Sequence, residues 1–352
     1  MTGVVLALDV GGTNIRGEAL TADLVAVAAR RTATPLGDGE AVLDAIAGLC
    51  EGLLGDVVAA DAGPVAAVGV AVPGVVDTAR GRVRLAANLG WRDTPVAELL
   101  GARLGVPVLL HHDVTVAGLA EQRMGAGVGV EDLLCVFLGT GVAATLTVGG
   151  HVVGQRRAPD GGTSRGGHAG ELGHVPIHMD GLLCGCGQRG CLEMYASARA
   201  IGDAYARATG RVGATSRDVA AWLGTDPVAD RVWSDALDAL AHGLLGVITL
   251  LAPTRIVVGG GLAAAGDALL VPLRERLEAT ARVAVVPEIV PAGLGQRAGV
   301  VGAALATQDA LPTTSPTTSR ATATHTAPAA THTAPAAAPV RPPRPVRPPP
   351  PR

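Results

Sequence analysis

One arrangement occurs twice in this chain. "VVLALDVGGTNIRGEALT" (4–21) and "LLCVFLGTGVAATLTVGG" (133–150) each read as an apolar strand, a Gly/Thr turn and a second strand. Their turns, Asp9–Gly12 and Leu138–Gly141, lie about 130 residues apart, near one domain length. A hairpin repeated at that spacing predicts two related halves facing each other across a cleft. Between and after the hairpins, helical patterns (40–54, 228–252) alternate with strand patterns (65–72, 106–113, 255–261). That alternation predicts an α/β architecture.

The turns themselves suggest what the cleft holds. A phosphate reaches backbone N–H groups only where no Cβ intervenes, and a threonine adds a hydroxyl donor. The first turn offers Gly11, Gly12 and Thr13, the second Gly139, Thr140 and Gly141. A third, "VGGGLAAAG", offers Gly259, Gly260 and Gly261 at a strand-to-helix junction. Any one of them alone could merely reverse the chain; three, each directly after an apolar strand, point more strongly to bound phosphate. Asp9 suits a magnesium ion held through water, and equally suits a turn-stabilising aspartate. The chain has no lysine, so a G-x-x-x-x-G-K-[ST] phosphate loop is excluded.

Composition narrows the partners. Formal net charge is −3, which gives no general attraction to nucleic acid or to an anionic membrane. Strand-like sequence begins at residue 3 with no charged-then-apolar leader, and no uninterrupted apolar run looks long enough to span a bilayer. Five cysteines do not suggest a disulfide framework, so a cytoplasmic protein is expected. Residues 307–352 stand apart: they hold 12 of the 24 prolines, repeat "THTAPAA" at 324–337 and end in "RPPRPVRPPPPR". With five arginines against Asp309 this tail carries +4, leaving −7 on the body. A segment so poor in apolar periodicity is expected to be disordered and solvated, although a Pro-rich peptide can also dock on aromatic grooves.

At residues 166–197 the sequence reads "GGHAGELGHVPIHMDGLLCGCGQRGCLEMYAS". This resembles the ROK family (repressors, open reading frames and sugar kinases), whose pattern is A-G-E-x-G-H followed by C-x-C-G-x-x-G-C-x-E. The resemblance runs from about residue 4 to 305. It implies a two-domain actin-like ATPase fold of the hexokinase and actin superfamily, with a cleft between the domains. The expected division is 1–113 and 114–306, with the last helix packing back on the first domain and 307–352 as tail. It also implies that Gly11, Gly12, Thr13, Thr140 and Gly141 cradle ATP phosphates while Gly260 and Gly261 pack by the adenosine.

The cysteine-poor chain places three of its five cysteines within eight positions. His174-x9-Cys184-x-Cys186-x4-Cys191 supplies one imidazole and three thiolates, the ligand set of a closed tetrahedral zinc site. The linkers are Gly-rich (Gly181, Gly185, Gly187, Gly190), as a chain wrapping one ion must be. C-x-C-x4-C is not the C-x-x-C of oxidoreductases, and buried structural thiols would leave the histidine unexplained. With four protein ligands the metal is structural. It would lock the loop carrying Glu171 and Glu193, which the resemblance assigns to sugar hydroxyls together with the second ring nitrogen of His174.

Phosphoryl transfer to a hydroxyl needs a carboxylate that accepts the proton. Asp113 ends the strand "VPVLLHHD" before the helical "VTVAGLAEQRM"; by position alone it is a base or a helix N-cap. The resemblance makes it the base, within N-D-A-N-x-A-A, where this chain reads "HDVTVAG". His112 and Thr115 thus replace two asparagines. His112, next to the base along a strand, is expected to point to the opposite face. The second phosphate turn reads "GTGVAATL" against G-T-G-I-G-x-G, so Ala143 and Thr145 stand at glycine positions. Asn88 in "AANLGW" and Gly74 in "VPGVVD" match the sugar-side pattern.

The expected function is therefore an ATP- and Mg²⁺-dependent sugar kinase with a structural Zn²⁺, acting on a hexose, glucose first, at its 6-hydroxyl. It is expected to be a homo-oligomer, dimer or tetramer. The alternatives are a sugar-binding, non-catalytic ROK protein and a transcriptional regulator. Regulators of the family carry a helix-turn-helix before the first strand, which here starts near residue 4.

Overall fold

Val, Ala and Leu are the commonest residues in the runs that form the strands, and β-branched Val suits a pleated, buried surface. The computed structural model describes residues 3–35, 37–153 and 169–311. Strand β1 (Val4–Val10) pairs antiparallel with β2 (Asn14–Leu20) across the first glycine turn, with Asp9 opposite Arg16. Strand β3 (Ala26–Ala33) continues the antiparallel run. Helix α1 (Gly39–Ala59) starts at Asp38, whose carboxylate accepts the N–H groups of Glu40 and Ala41, and β4 (Val65–Val72) then returns parallel to β1. A small antiparallel sheet, β5 (Val75–Asp77), β6 (Arg82–Ala86) and β7 (Trp91–Thr94), follows. After α2 (Val96–Leu104), β8 (Val108–His112) lies parallel to β4 and passes directly into α3 (Asp113–Met124).

The second sheet repeats the first. Strands β9 (Leu133–Leu138), β10 (Val142–Val148) and β11 (His151–Val152) form the antiparallel run. Helices α4 (Glu193–Ala196), α5 (Ala198–Thr209), α6 (Ser216–Ala221) and α7 (Pro227–Leu251) precede β12 (Arg255–Gly259). Helix α8 (Asp267–Thr280), β13 (Glu288–Pro291) and α9 (Ala298–Ala310) complete the described chain. The strand orders are β3-β2-β1-β4-β8 and β11-β10-β9-β12-β13. In both, an antiparallel hairpin is extended by two parallel strands on its far side. This is the internal repeat that the two glycine hairpins predict.

Each sheet has its own core. Leu6, Leu8, Ile46, Leu53 and Val70 pack the first sheet against α1, and Leu134, Tyr205, Leu240 and Leu273 pack the second against α5, α7 and α8. A third cluster joins Ala7 and Ala71 of the first sheet to Val116 of α3 and to Val300, Ala303 and Ala304 of α9. The last helix thus packs back on the first sheet. Its approach to α3 is close enough that a Cβ on Gly302 would collide with the carbonyl of Val116.

One sequence expectation needs correction. The composition shift at 307 falls inside α9, which runs to Ala310; Thr307 is fully buried. Helix packing carries the chain past the point where composition turns tail-like, and residues 312–352 lie outside the described residues. Helix α7, although interrupted by Asp230, Arg231, Asp235 and Asp238, is long and apolar enough by length and composition to cross a membrane. It nevertheless buries Trp233, Leu237, Leu240, Leu244 and Ile248 in the second core.

Candidate functional site

The three glycine turns are built by different means. In the first, the Gly11 N–H donates to the Asn14 carbonyl (3.0 Å), and Thr34 braces the turn: its Oγ1 donates to the Gly11 carbonyl (2.6 Å) and its N–H to that of Thr13 (3.0 Å). Gly12 and Thr13 face outward, and a Cβ on Gly12 would stand 3.4 Å from Asn88 Nδ2. In the second, the Gly139 N–H donates to the Gly141 carbonyl (2.9 Å), and Thr140 is exposed. Gly260, at φ +85°, abuts the Leu138 carbonyl so closely that no side chain fits, which seats the third turn against the second. Gly261 is exposed. Gly74 has a backbone reason of its own: at φ +98° it lies against the Leu85 carbonyl.

Residues 169–197 fold as a tight loop beside β10. The Ala144 N–H donates to the Gly170 carbonyl (2.7 Å), and Gly173 sits against the Val142 carbonyl with no room for a Cβ. A ring nitrogen of His174 and the sulfurs of Cys184, Cys186 and Cys191 all lie within 4.8 Å of one another. Cys184 Sγ is 3.7 Å from His174 Nδ1, and Cys186 Sγ is 3.7 Å from Cys191 Sγ. A tetrahedron with metal–sulfur bonds of about 2.3 Å separates its sulfurs by about 3.8 Å, so these residues fit a zinc ion. Burial pushes the thiols of Cys184 and Cys191 up, a penalty that a bound cation offsets. The exposed Cys186 is drawn down to about 7, chiefly by the Gln188 backbone N–H.

The cluster reaches both carboxylates. Glu193 Oε1 accepts from Cys184 Sγ (3.0 Å) and lies 3.5 Å from His174 Nδ1, while a Cβ on Gly141 would stand 3.0 Å from Glu193 Oε2. Glu193 therefore lies between the thiol cluster and the second glycine turn. On the other edge of the imidazole, Nε2 is 3.9 Å from Glu171 Oε2.

Asp113 is the first residue of α3, where the helix dipole favours a negative charge. The cap is His112: its Nδ1 accepts from the Thr115 N–H (3.4 Å) and lies 3.0 Å from Thr115 Oγ1. His112 Nε2 stands 3.6 Å from Asp113 Oδ1. The expectation of opposite faces is overturned, because strand alternation ends where β8 becomes α3. Asp9 has its pKa raised to about 6, by burial first and then by the charge of Asp113, against the pull of Arg16 at 3.7 Å. A mostly buried carboxylate held in that state suits a cation.

Sequence reading missed four supporting residues. Arg16 links Asp9 to the loop before α9 through Gln296 (3.0 Å). Thr34 braces the first turn. Glu121, fully buried on α3, accepts the N–H groups of Ala126, Gly293 and Leu294, each at 2.9 Å. Thr145 donates its hydroxyl to the Val114 carbonyl (2.7 Å). The one sequence signal among them is Thr145, which stands where the family pattern has glycine.

Twin sheets of one topology, each opening on a glycine hairpin, define a two-domain actin-like ATPase fold with a cleft between its halves. The chain belongs to the ROK family, whose pattern it matches over residues 5–310. It is 32% identical over 326 residues to the glucokinase of Streptomyces coelicolor, covering 86% of this chain and 96% of that one. A crystal structure of a ROK family glucokinase from Streptomyces griseus in complex with glucose and AMPPNP superposes with a TM-score of 0.72 at 32% identity, covering 86% of this chain and 99% of that one. The N-acetyl-D-glucosamine kinase of Photobacterium profundum is 30% identical over 316 residues, covering 84% of this chain and 96% of its own. Relatives of this kind support a sugar kinase, and they differ among themselves in the sugar they phosphorylate.

Proposed function

We propose that this protein transfers the γ-phosphoryl group of ATP to the 6-hydroxyl of a hexose, with glucose as the sugar. The observation that carries this reading is the placement of Glu193, with one oxygen at the His/Cys cluster and the other against Gly141 of the second glycine turn. A sugar held by that loop would lie beside a phosphate held by that turn.

The roles follow from the chemistry. Gly11, Gly12, Thr13, Thr140 and Gly141 present N–H and hydroxyl donors to phosphate oxygens, and Gly260 and Gly261 leave room for the adenosine. Asn88, Glu171, Glu193, His112 and the Nε2 edge of His174 orient the sugar hydroxyls, and Gly74 shapes the wall beside them. As the 6-oxygen forms its bond to the γ-phosphorus, the bond to the ADP oxygen breaks and the hydroxyl proton passes to Asp113. Asp9 would face the magnesium that accompanies ATP. His174, Cys184, Cys186 and Cys191 would hold zinc, whose contribution is to rigidify the loop. Closure of the cleft excludes water, which would otherwise compete for the phosphoryl group. The setting is cytoplasmic and the active form a homo-oligomer in this reading.

The choice of glucose over an N-acetylated hexose rests on the two glucokinases among the relatives reported above. Steady-state phosphorylation of a hexose panel with MgATP tests it. Glucose should give the highest kcat/KM; a preference for N-acetylglucosamine would move the assignment within the family, and no turnover of any hexose would end it.

A further inference from the structure

Strand β10 touches both halves of the site. It leaves the second glycine turn at Val142; Val142 and Ala144 meet the loop bearing Glu171 and His174, through the Gly173 approach and the 2.7 Å bond to Gly170. Thr145 instead meets α3. Its Oγ1 donates to the carbonyl of Val114, the residue after Asp113, and its Cβ occupies the space that a side chain on Gly118 would need. Thr145 is 4% exposed, so this contact is dry. We propose that Thr145 is a positioning residue that couples the second phosphate turn to the helix carrying Asp113, so that nucleotide binding sets the position of the base. The catalytic part of this proposal rests on the kinase reading; the mechanical part does not.

β10 is registered residue by residue on β9, with Val142 opposite Leu138 and Thr145 opposite Cys135, so the turn and the hydroxyl belong to one body. A strand rises about 3.4 Å per residue, which puts Thr145 about 14 Å along from Gly141. A displacement of the turn therefore arrives at Val114 undiminished. Helix α3 has little freedom to absorb it: Gly302 of α9 is pressed on Val116, and Glu121 ties the other end of the helix to Gly293 and Leu294. The carbonyl oxygen of Val114 has two lone pairs, so it accepts from Thr145 without giving up a helical partner.

The sequence is consistent with a dedicated contact. Where the family pattern places glycine in the strand and alanine in the helix, this chain has Thr145 and Gly118. Side-chain volume has crossed the contact, and a hydroxyl came with it.

Thr145→Val keeps the shape and deletes the donor; Thr145→Ser keeps the donor. Two readouts are needed, kcat with the KM values for hexose and ATP, and amide hydrogen exchange of residues 114–118 with and without Mg-AMPPNP. The valine variant should lower kcat about tenfold, as a lost transition-state contact does, with both KM values within about twofold. It should also lose the nucleotide-induced protection at 114–118, and serine should restore both. Gly118→Ala, which pushes the helix off the strand from the other side, should reproduce the valine signature and serves if the valine variant does not fold. A valine variant that keeps both kcat and the exchange response overturns the proposal. If the wild-type protein phosphorylates no hexose, the kinase reading fails by itself, and the exchange response alone then decides the coupling.

Discussion

Nε2 of His112 stands 3.6 Å from Oδ1 of Asp113, while its Nδ1 accepts from the Thr115 N–H and lies 3.0 Å from Thr115 Oγ1. The Nε2 edge thus faces the carboxylate. In the proposed reading this imidazole is a fixed wall of the sugar site beside the base. His112→Asn keeps a good helix cap and removes the ring. Relative kcat/KM across hexoses should change, while kcat on the best hexose stays within about tenfold, short of the loss expected when a general base is removed. A variant inactive on every hexose would mean that His112, and not Asp113, takes the proton.

The thiol cluster should hold one zinc ion per chain, measurable by elemental analysis of the purified protein. Cys184→Ala removes a ligand and loosens the loop that carries Glu171 and Glu193, so metal content and sugar affinity should fall together. Metal-free protein with full activity and unchanged sugar binding would contradict this account.

His111, one residue earlier, gives a pH signature. Desolvation lowers its pKa from 6.5 to about 4, and its Nε2 lies 2.9 Å from Thr307 Oγ1 of α9. Between those two values the unfolded chain takes up a proton that the folded protein refuses. The His111 contribution to stability is therefore complete above about pH 6.5 and is lost as pH falls toward about 4. Asp9 has the opposite slope, because its raised pKa lets the folded state keep a proton as pH rises from 3.8 toward about 6. His111→Gln should flatten the acid side of the melting-temperature profile, and Asp9→Asn should steepen it. Identical profiles for His111→Gln and wild type would refute the assignment.

Glu121 is a buried carboxylate that accepts three backbone N–H groups from two different loops. Glu121→Gln turns one acceptor into a donor and leaves at least one N–H facing it. The cost should be about 1–3 kcal/mol in chemical denaturation, since a buried donor is left without a partner. A loss below the error of the measurement would show that the loops rearrange around the amide.

Much of this was legible because it is local in sequence. The hairpins at Asp9–Gly12 and Leu138–Gly141 and the His174–Cys191 cluster each declare themselves within 20 residues. The contacts that hold α3 and the end of β8 were not, because they join Thr145 to Val114, Gly293 to Glu121 and His111 to Thr307 across 31, 172 and 196 positions. No periodicity carries such a pairing; only the glycine at 118 and the threonine at 145 leave a trace. His112 was misplaced for a different reason: a rule for strands was applied across the residue at which the strand becomes a helix.

The central claim is that Asp113 accepts the sugar proton, and Asp113→Asn tests it most directly. The amide keeps the shape and can still accept a hydroxyl hydrogen bond. Positioned bases contribute about 10²–10⁴-fold, so kcat on glucose with MgATP should fall at least about 100-fold while the glucose Kd changes only a few-fold. A variant that turns over glucose at the wild-type rate would contradict the account.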